Sequence, residues 1–399
     1  MPKAEYRMPN MHHSITNRIC DHLARPRLAI SDRRVSSYKI CGYTGIGLAL
    51  LLNTILFIHL NLSLGLLIVL TVNVLLTFYV LALATKVIVG EETLIYYHHE
   101  IAILLTSALL LWLLDQPILV YLDQVVLAVG TFLACGRIGC LMVGCCHGRP
   151  HGWGIRYHRE HAAEGFENCL VGVRLFPVQA LEALWVVAVV LGGSFLVLKK
   201  YPPGEALALY TMVYGIGRFC FEFVRGDAKR PYWLGFSEAQ WTTVILMMLT
   251  LAAQVGGLLT WHAWHAALAA ATIVLMIAIA GFRRAKGHNM PVLLPPGHVI
   301  ELAEMIDLLS DHRVNETQEE TFSIPVGRTS SGLRISTGRV GDSTTWIRHY
   351  ALSQKNDQMT EKTATRLATL IQRLRHPVDA IEIMPGKPGI YHLLFQGRK

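Results

Sequence analysis

Long apolar runs fill most of the chain between Tyr38 and Ala280. Several of them approach or exceed the roughly 20 residues that a helix needs to cross a bilayer. Only 16% of the 399 residues are charged, against about 25% in an average soluble domain, which also indicates lipid as the surrounding solvent. The sequence therefore predicts an all-α polytopic membrane protein with about seven or eight transmembrane helices.

Hydropathy places these helices one after another along the chain. The predicted spans are Cys41–Leu60, Leu64–Val87, Ile101–Leu122, Val125–Val143, Gln179–Leu198, Ala206–Val224, Trp241–Leu259 and Ala263–Ile279. No cleavable apolar core precedes them, so we expect the first span, rather than a signal peptide, to direct insertion.

Composition divides the chain into a basic amino-terminal arm (residues 1–35), a membrane region (36–281) and a soluble carboxy-terminal domain (282–399). The last part is predicted to be small and α+β. Its helix-like runs are His298–Leu309 and Thr360–Leu374, and its strand-like runs are Thr321–Val326, Leu333–Thr337, Thr344–Tyr350 and Tyr391–Phe395. The net charge of +8 comes from arginines beside spans and in the polar parts, which indicates anionic lipid headgroups and not nucleic acid as the partner.

Arg137 is a charged group lodged inside a predicted span, in Gly136-Arg137-Ile138-Gly139. A charged residue at mid-bilayer costs about 2.5–3.5 kcal/mol on insertion scales, so it should face a cavity, a partner or a phosphate. The planar guanidinium suits phosphate binding. The alternative is that Arg137 extends to the lipid headgroups.

Arg218 and Glu222 form a second polar site, in Tyr214-Gly215-Ile216-Gly217-Arg218-Phe219-Cys220-Phe221-Glu222-Phe223-Val224-Arg225-Gly226-Asp227. Their spacing of four places them on one helix face, where each offsets the cost of burying the other. A purely structural ion pair is the alternative. Other polar groups stand where spans begin: Tyr38 at the first, His98 at the third, and Gln179 with Glu182 at the fifth. Together they predict a polar cavity.

Four of the eight cysteines crowd one span and its end: Cys135, Cys140, Cys145 and Cys146. Buried cysteines often act only as small apolar side chains. A metal site is a second interpretation, although no Cys-x-x-Cys spacing is present. A third is a reactive thiolate near Arg137 or Arg149 that accepts a lipid group covalently and passes it on. We expect neither a cofactor nor a metal.

The ordered set of motifs resembles the prolipoprotein diacylglyceryl transferases over about Ser36 to Val255. The matching features are the first-span tyrosine, the histidine, Gly-Arg-Ile-Gly, a loop with Gly152-Trp153-Gly154-Ile155, Pro-x-Gln-x-x-Glu, and Gly-Arg-Phe-x-x-Glu-Phe-x-Arg. The resemblance implies transfer of a diacylglyceryl group from phosphatidylglycerol to the thiol of a lipoprotein precursor, with release of glycerol phosphate. It also implies a multi-pass protein of the bacterial cytoplasmic (inner) membrane.

Carried over residue by residue, the resemblance implies roles in the site for Arg137, Arg218, Glu222, His98, Tyr38 and Gly148. From the residues themselves we also expect Cys140 and Cys145 among the catalytic residues. The substrate-binding residues are expected to be Gly148, Arg225, Gln179 and Glu182. The arginines would hold the phosphate and stabilise charge on the leaving group. The histidine would help deprotonate the acceptor thiol.

This chain also departs from the family's pattern. Cys140 stands where the family has asparagine, Cys145 where it has an acidic residue, His99-Glu100 where a glycine pair is expected, and Phe176 where histidine is usual. The acceptor is therefore a lipoprotein cysteine or another thiol. A non-catalytic lipid- or metal-binding membrane protein, or a divergent transferase that uses Cys145 and Cys146, is the alternative function.

The orientation inferred from charge conflicts with the one that the resemblance implies. Basic residues place the amino-terminal arm, Arg283–Lys286 and the loop after Gly-Arg-Ile-Gly in the cytoplasm. The resemblance implies that this loop faces the outside of the membrane, and we give it more weight.

Overall fold

The computed structural model describes residues 15–30, 33–90, 95–228, 230–285, 295–311, 325–341, 345–354, 359–375 and 380–398. Five of its helices are long and apolar enough to cross a membrane. They are α2 (Ser37–His59), α3 (Leu64–Val89), α5 (Ile118–Val143), α7 (Val178–Leu198) and α11 (Ala263–Ala285). The remaining helices of this region are α4 (Tyr96–Leu113), α8 (Glu205–Leu209), α9 (Gly215–Phe221) and α10 (Glu238–Val255). The prediction of a helical polytopic membrane protein is confirmed.

The boundary between the third and fourth predicted spans was wrong. We placed it after Leu122, but α4 ends at Leu113 and α5 begins at Ile118. Asp115 has a left-handed backbone (φ 52°), and Pro117 precedes α5. A proline disfavours helical geometry in the residue before it, so the chain turns here. The predicted break at Asp123-Gln124 instead lies inside α5, where both residues are buried.

The span predicted at Ala206–Val224 is one helical column with a change of winding. A π-helical turn, Tyr210–Tyr214, lies between α8 and α9, and the column ends at Phe221 rather than Val224. Single π turns occur mostly within longer helices and often at functional sites. The early end leaves Val224 and Arg225 in a loop that pairs with the segment after α5.

α5 is the central helix of the membrane region. It packs against α2 on one side and α7 on the other, and its span is 61% buried, against 11% for the peripheral α3. Apolar side chains such as Leu127, Val186 and Tyr210 form the core between α5, α7 and the π turn. Polar side chains on the inner faces of α5 and α7 are therefore withdrawn from lipid.

Asp123 fixes the start of α8 from within α5. Its carboxylate oxygens accept hydrogen bonds from the backbone N–H groups of Gly204 and Leu207, both at 2.8 Å, and the residue is only 4% exposed. The arrangement satisfies helix-terminal donors that otherwise have no intrahelical partner.

Asp123→Asn is expected to lower the stability of the protein by about 1–3 kcal/mol, because the amide NH2 group faces a backbone donor and leaves it unsatisfied. Thermal unfolding in detergent measures the effect. Asp115→Asn is the matched control, since Asp115 is exposed and asparagine tolerates its left-handed backbone. Equal melting temperatures for the two variants would contradict the prediction.

The carboxy-terminal domain is α+β, as predicted. Its antiparallel sheet has the strand order β10-β11-β9-β8-β7. The strands are β7 (Val326–Arg328), β8 (Leu333–Gly341), β9 (Thr345–Gln354), β10 (Ala380–Pro385) and β11 (Ile390–Arg398), and the helices are α12 (Pro296–Asp311) and α13 (Glu361–Arg375). Most of the run predicted as a strand at Thr321–Val326 lies outside the described residues. β10 was not predicted.

The amino-terminal arm, the loop after α5 and the carboxy-terminal domain pack together on one side of the membrane helices. The remaining elements of this side are α1 (Ile15–Leu23), α6 (Arg159–Ala162), β1 (Arg27–Ile30), β2 (Arg33–Ser36), β3 (Pro150–Arg156) and β4 (Arg174–Leu175). Asn17 accepts from the backbone N–H of Gly154 at 3.1 Å. A guanidinium N–H of Arg375 in α13 donates to the carbonyl of Cys169 at 3.1 Å. Tyr157 and Leu170 of the loop share an apolar core with Leu302 of α12.

A buried arginine and carboxylate cluster as the candidate active site

Glu182 on α7 is the centre of a buried ion-pair cluster. Its Oε2 lies 3.0 Å from Nε of Arg137 on α5 and 4.0 Å from Nη1 of Arg225. Its Oε1 lies 3.7 Å from Nη1 of Arg218 and accepts a hydrogen bond from the Tyr214 hydroxyl at 3.3 Å. The glutamate side chain is only 1% exposed. One carboxylate thus faces three arginines brought together from two helices and a loop.

Glu222 forms the second carboxylate of the cluster. It pairs with Arg218 one helical turn earlier at 2.7 Å, as the spacing of four predicted. It also binds Arg230, whose guanidinium reaches back from the following loop. Arg230 in turn pairs with Asp227 at 2.6 Å, and Asp227 accepts from Nε of Arg225 at 3.0 Å.

The cluster has an excess of positive charge. Four guanidinium groups (Arg137, Arg218, Arg225 and Arg230) face three carboxylates (Glu182, Glu222 and Asp227), which leaves 4 − 3 = +1. Nε and Nη1 of Arg218 and Nε of Arg137 are buried and make no aligned hydrogen bond within the described part of the chain. Buried charged donors are normally paired, so these donors are suited to an anion.

The turn after α5 brings three cysteines together. Gly144 ends the helix in a left-handed conformation (φ 90°), where its N–H donates to the carbonyl of Cys140, and Cys146 also has a positive φ of 54°. The chain folds back, and the Sγ atoms of Cys140, Cys145 and Cys146 all lie within 4.8 Å of one another. Left-handed backbone in a residue with a side chain costs about 1–2 kcal/mol. The turn is therefore held by its surroundings.

Gln179 at the start of α7 contributes to holding this turn, because its side-chain amide donates to the carbonyl of Cys145 at 2.9 Å. Hydrogen bonds with Cys140 and Cys145, together with the charges of Arg225 and Arg137, outweigh burial and lower the pKa of the Cys146 thiol well below its ordinary value. The cysteine turn and the arginine cluster are thus electrostatically linked.

Gly148 joins this turn to the loop after α9. It forms an isolated antiparallel bridge with Arg225, and its N–H donates to the carbonyl of Phe176 at 3.2 Å. A Cβ on Gly148 would lie 2.3 Å from that carbonyl oxygen, so no larger residue fits without movement of the backbone. The glycine lies where it can hold Arg225 beside Glu182.

The structure gathers most of the residues predicted for the site, but His98 is an exception. Arg137, Arg218, Glu222, Arg225 and Glu182 form the cluster, Gln179 and Gly148 hold adjoining backbone, and Cys140 and Cys145 belong to the cysteine turn. Tyr38 on α2 lies beside the cysteine turn and interacts electrostatically with Arg137. The side chain of His98 is 45% exposed and pairs with Glu238 at the start of α10.

Arg230, Asp227 and Tyr214 are members of the cluster for which the sequence analysis proposed no role. Tyr214 and Asp227 stand at the two ends of the motif around Arg218, so their proximity to it was a usable signal. Arg230 lies beyond the motif in a polar loop. A basic residue in such a loop gives no sequence signal, since most are solvated.

The chain is similar to a known family of membrane enzymes. Residues 72–255 match the family model described as prolipoprotein diacylglyceryl transferase. A phosphatidylglycerol–prolipoprotein diacylglyceryl transferase of Dehalococcoides mccartyi is 32% identical over 120 residues, which cover 30% of this chain and 44% of that protein. A protein of Clostridium perfringens with the same name, numbered 2, is 30% identical over 145 residues, or 35% of this chain and 50% of that protein. The chain thus spans about half the length, or less, of these curated relatives.

Proposed function

We propose that this chain is a phospholipid-dependent transferase, because residues 72–255 match the family model described as prolipoprotein diacylglyceryl transferase. It moves a diacylglyceryl group from phosphatidylglycerol to the thiol of a lipoprotein precursor. Relatives whose names state this reaction support the donor and the acceptor. The protein works as a multi-pass enzyme of the bacterial cytoplasmic membrane.

The observation that carries the proposal is the buried cluster with its excess charge of +1 and with guanidinium N–H groups of Arg218 and Arg137 that make no aligned hydrogen bond in the described part of the chain. A phosphodiester such as the headgroup of phosphatidylglycerol bears one negative charge and accepts several hydrogen bonds. Guanidinium groups bind such oxygens in a planar, two-pronged geometry. The charge and the donors of the cluster therefore match this headgroup.

The same cluster can stabilise the negative charge that develops during transfer of the diacylglyceryl group. The acceptor sulfur attacks the glycerol carbon of the diacylglyceryl group, a C–S bond forms, and the C–O bond to phosphate breaks. The electron pair leaves with oxygen, so the phosphate changes from a singly to a doubly charged group. Preorganised donors aimed at such developing charge lower the barrier. Glu182 and Glu222 hold Arg137 and Arg218 in place before the substrate arrives.

A covalent relay through the chain's own cysteines is disfavoured chemically. Attack by Cys145 or Cys146 on the lipid would give a thioether, in which the sulfur is bound to an unactivated carbon. A second thiol would then have to displace an alkyl thiolate, with no carbonyl or positive charge to assist it. Direct transfer to the external acceptor is the simpler route.

Mass spectrometry of the products tests the proposed function. The purified full-length chain is incubated with phosphatidylglycerol and a lipoprotein-precursor peptide with one cysteine, and with the same peptide bearing serine. We expect release of glycerol phosphate and a diacylglyceryl mass increment on the cysteine peptide alone. Phosphatidylglycerol that remains bound and intact would reject the transferase and favour a lipid-binding role.

His98→Ala is expected to lower kcat/KM for this transfer by less than about tenfold, because an exposed ion pair contributes only about 1 kcal/mol or less. Glu238→Gln should have an effect of similar size, since the two side chains pair with each other. Initial rates at several lipid concentrations measure both. A thousandfold loss for His98→Ala alone would instead assign this histidine to the chemistry.

A further inference from the structure

The three cysteines of the turn after α5 are possible sulfur ligands that differ in their exposure. Cys140 is buried, Cys146 is partly buried and Cys145 is exposed, with all three Sγ atoms within 4.8 Å of one another. Four sulfurs around one zinc ion, each at about 2.3 Å, lie about 3.8 Å apart. The three sulfurs therefore lie within about 1 Å of the separation that one zinc ion requires.

Zinc sites that bind substrates use three protein ligands and keep the fourth position open. The three thiols fit this arrangement, since the exposed side of Cys145 leaves one direction free. Arg225 and Arg137 interact electrostatically with Cys146, so positive charge lies near the three sulfurs. We therefore propose that Cys140, Cys145 and Cys146 bind a zinc ion whose fourth position takes the thiol of the acceptor.

The site deepens the proposed transfer reaction and rests on it. A thiol that binds zinc loses its proton and is held as the thiolate. The bound sulfur then attacks the glycerol carbon of the lipid, the C–S bond forms, and glycerol phosphate leaves with the electrons of the broken C–O bond toward the arginine cluster. The thioether product is neutral and a weaker ligand than a thiolate, so it dissociates from the ion.

The zinc site gives a role to Cys140 and Cys145, which stand where the resemblance implies an asparagine and an acidic residue. Cys146 completes the set. It also gives the acceptor thiol a means of ionising that does not depend on His98, which pairs with Glu238. The sequence analysis expected no metal because no Cys-x-x-Cys spacing is present. The turn through Gly144 brings the ligands together without that spacing.

The site is tested by measuring the zinc content of the full-length protein in detergent, which needs no transfer assay. After incubation with zinc chloride and desalting, we expect about one zinc per chain in the wild type. Cys145→Ser and Cys146→Ser should each lower the zinc affinity at least about tenfold. Cys220→Ser is the matched control, because Cys220 is exposed and lies on α9. A wild-type protein without zinc, or an equal loss in the control, overturns the proposal.

X-ray absorption at the zinc edge tests the open position. We expect three sulfur ligands at about 2.3 Å in the protein alone and four after addition of a cysteine peptide, with no change for the serine peptide. If the zinc ion keeps only three sulfur ligands after either peptide is added, the proposal that it binds the acceptor thiol is overturned. Reversible removal of zinc by a chelator from the wild type covers the case in which a variant fails to fold.

The two proposals fail separately. If the protein binds zinc and the cysteine peptide adds a fourth sulfur ligand, but no glycerol phosphate is released, the metal site is supported and the transferase is rejected. Glycerol phosphate released by a zinc-free protein at an undiminished rate supports the transferase and overturns the metal site.

Discussion

Arg137→Ala and Arg218→Ala are each expected to lower kcat for diacylglyceryl transfer by about 100- to 1,000-fold, the usual cost of removing one preorganised donor from developing negative charge. Both guanidinium groups are buried and carry nitrogen donors with no aligned partner in the described part of the chain. The loss should fall mainly on kcat, because the leaving phosphate gains its second charge only as the C–O bond breaks.

Lysine at the same positions separates charge from geometry. Arg137→Lys and Arg218→Lys keep the positive charge but lose the planar pair of donors, so we expect intermediate rates. Arg159→Ala is the control, since Arg159 is exposed on the short helix α6. Single-turnover rates with labelled phosphatidylglycerol measure the series. Wild-type rates in both alanine variants would remove these arginines from the site and with them the basis of the proposed function.

Glu182→Gln is expected to destabilise the protein by about 3–5 kcal/mol, because removal of one partner leaves buried charges uncompensated. The side chain of Glu182 faces Arg137, Arg218 and Arg225. Its substitution raises the excess charge of the cluster from +1 to +2. The arginines also lose the carboxylate that orients them, so transfer should fall together with stability.

The thermal unfolding of Glu182→Gln should respond to an anion more strongly than that of the wild type. Phosphatidylglycerol added to detergent micelles supplies a negative charge to the cluster, and a ligand that binds only the folded state raises its melting temperature. Glu238→Gln is the matched control, since its carboxylate pairs with the exposed His98. A Glu182→Gln protein as stable as this control would show that Glu182 is not the central counter-charge.

The sequence indicated those site residues whose surroundings are apolar. Arg137 and Arg218 were predicted because each interrupts a membrane span, where a charge is costly. The position of Glu182 between three arginines could not be read from the sequence, because Arg137 on α5 is 45 residues before it and Arg225, in the loop after α9, is 43 residues after it. Arg230 gave no signal because it stands in a polar loop.

The fold, like the site, was predicted only in part. Periodicity and hydropathy located the long helices, but the turn at Asp115–Pro117 was misplaced, since the apolar run continues on both sides of it. The sequence predicted a separate carboxy-terminal domain but not its packing on the loop after α5. That packing depends on a shared apolar core formed by side chains distant in the chain, such as Tyr157 and Leu302.

Under the proposed function, the packing of the carboxy-terminal domain against the loop after α5 relates the position of the domain to the leaflet that holds the donor lipid. Arg137 lies in the last two turns of α5, at the end that meets this loop, so the phosphate of a bound lipid must belong to the leaflet on the same side as the domain. Protease protection of the carboxyl terminus in sealed vesicles of known orientation would therefore identify the donor leaflet without any lipid assay. The side of the membrane on which the carboxy-terminal domain lies would thus indicate the leaflet that holds the donor lipid.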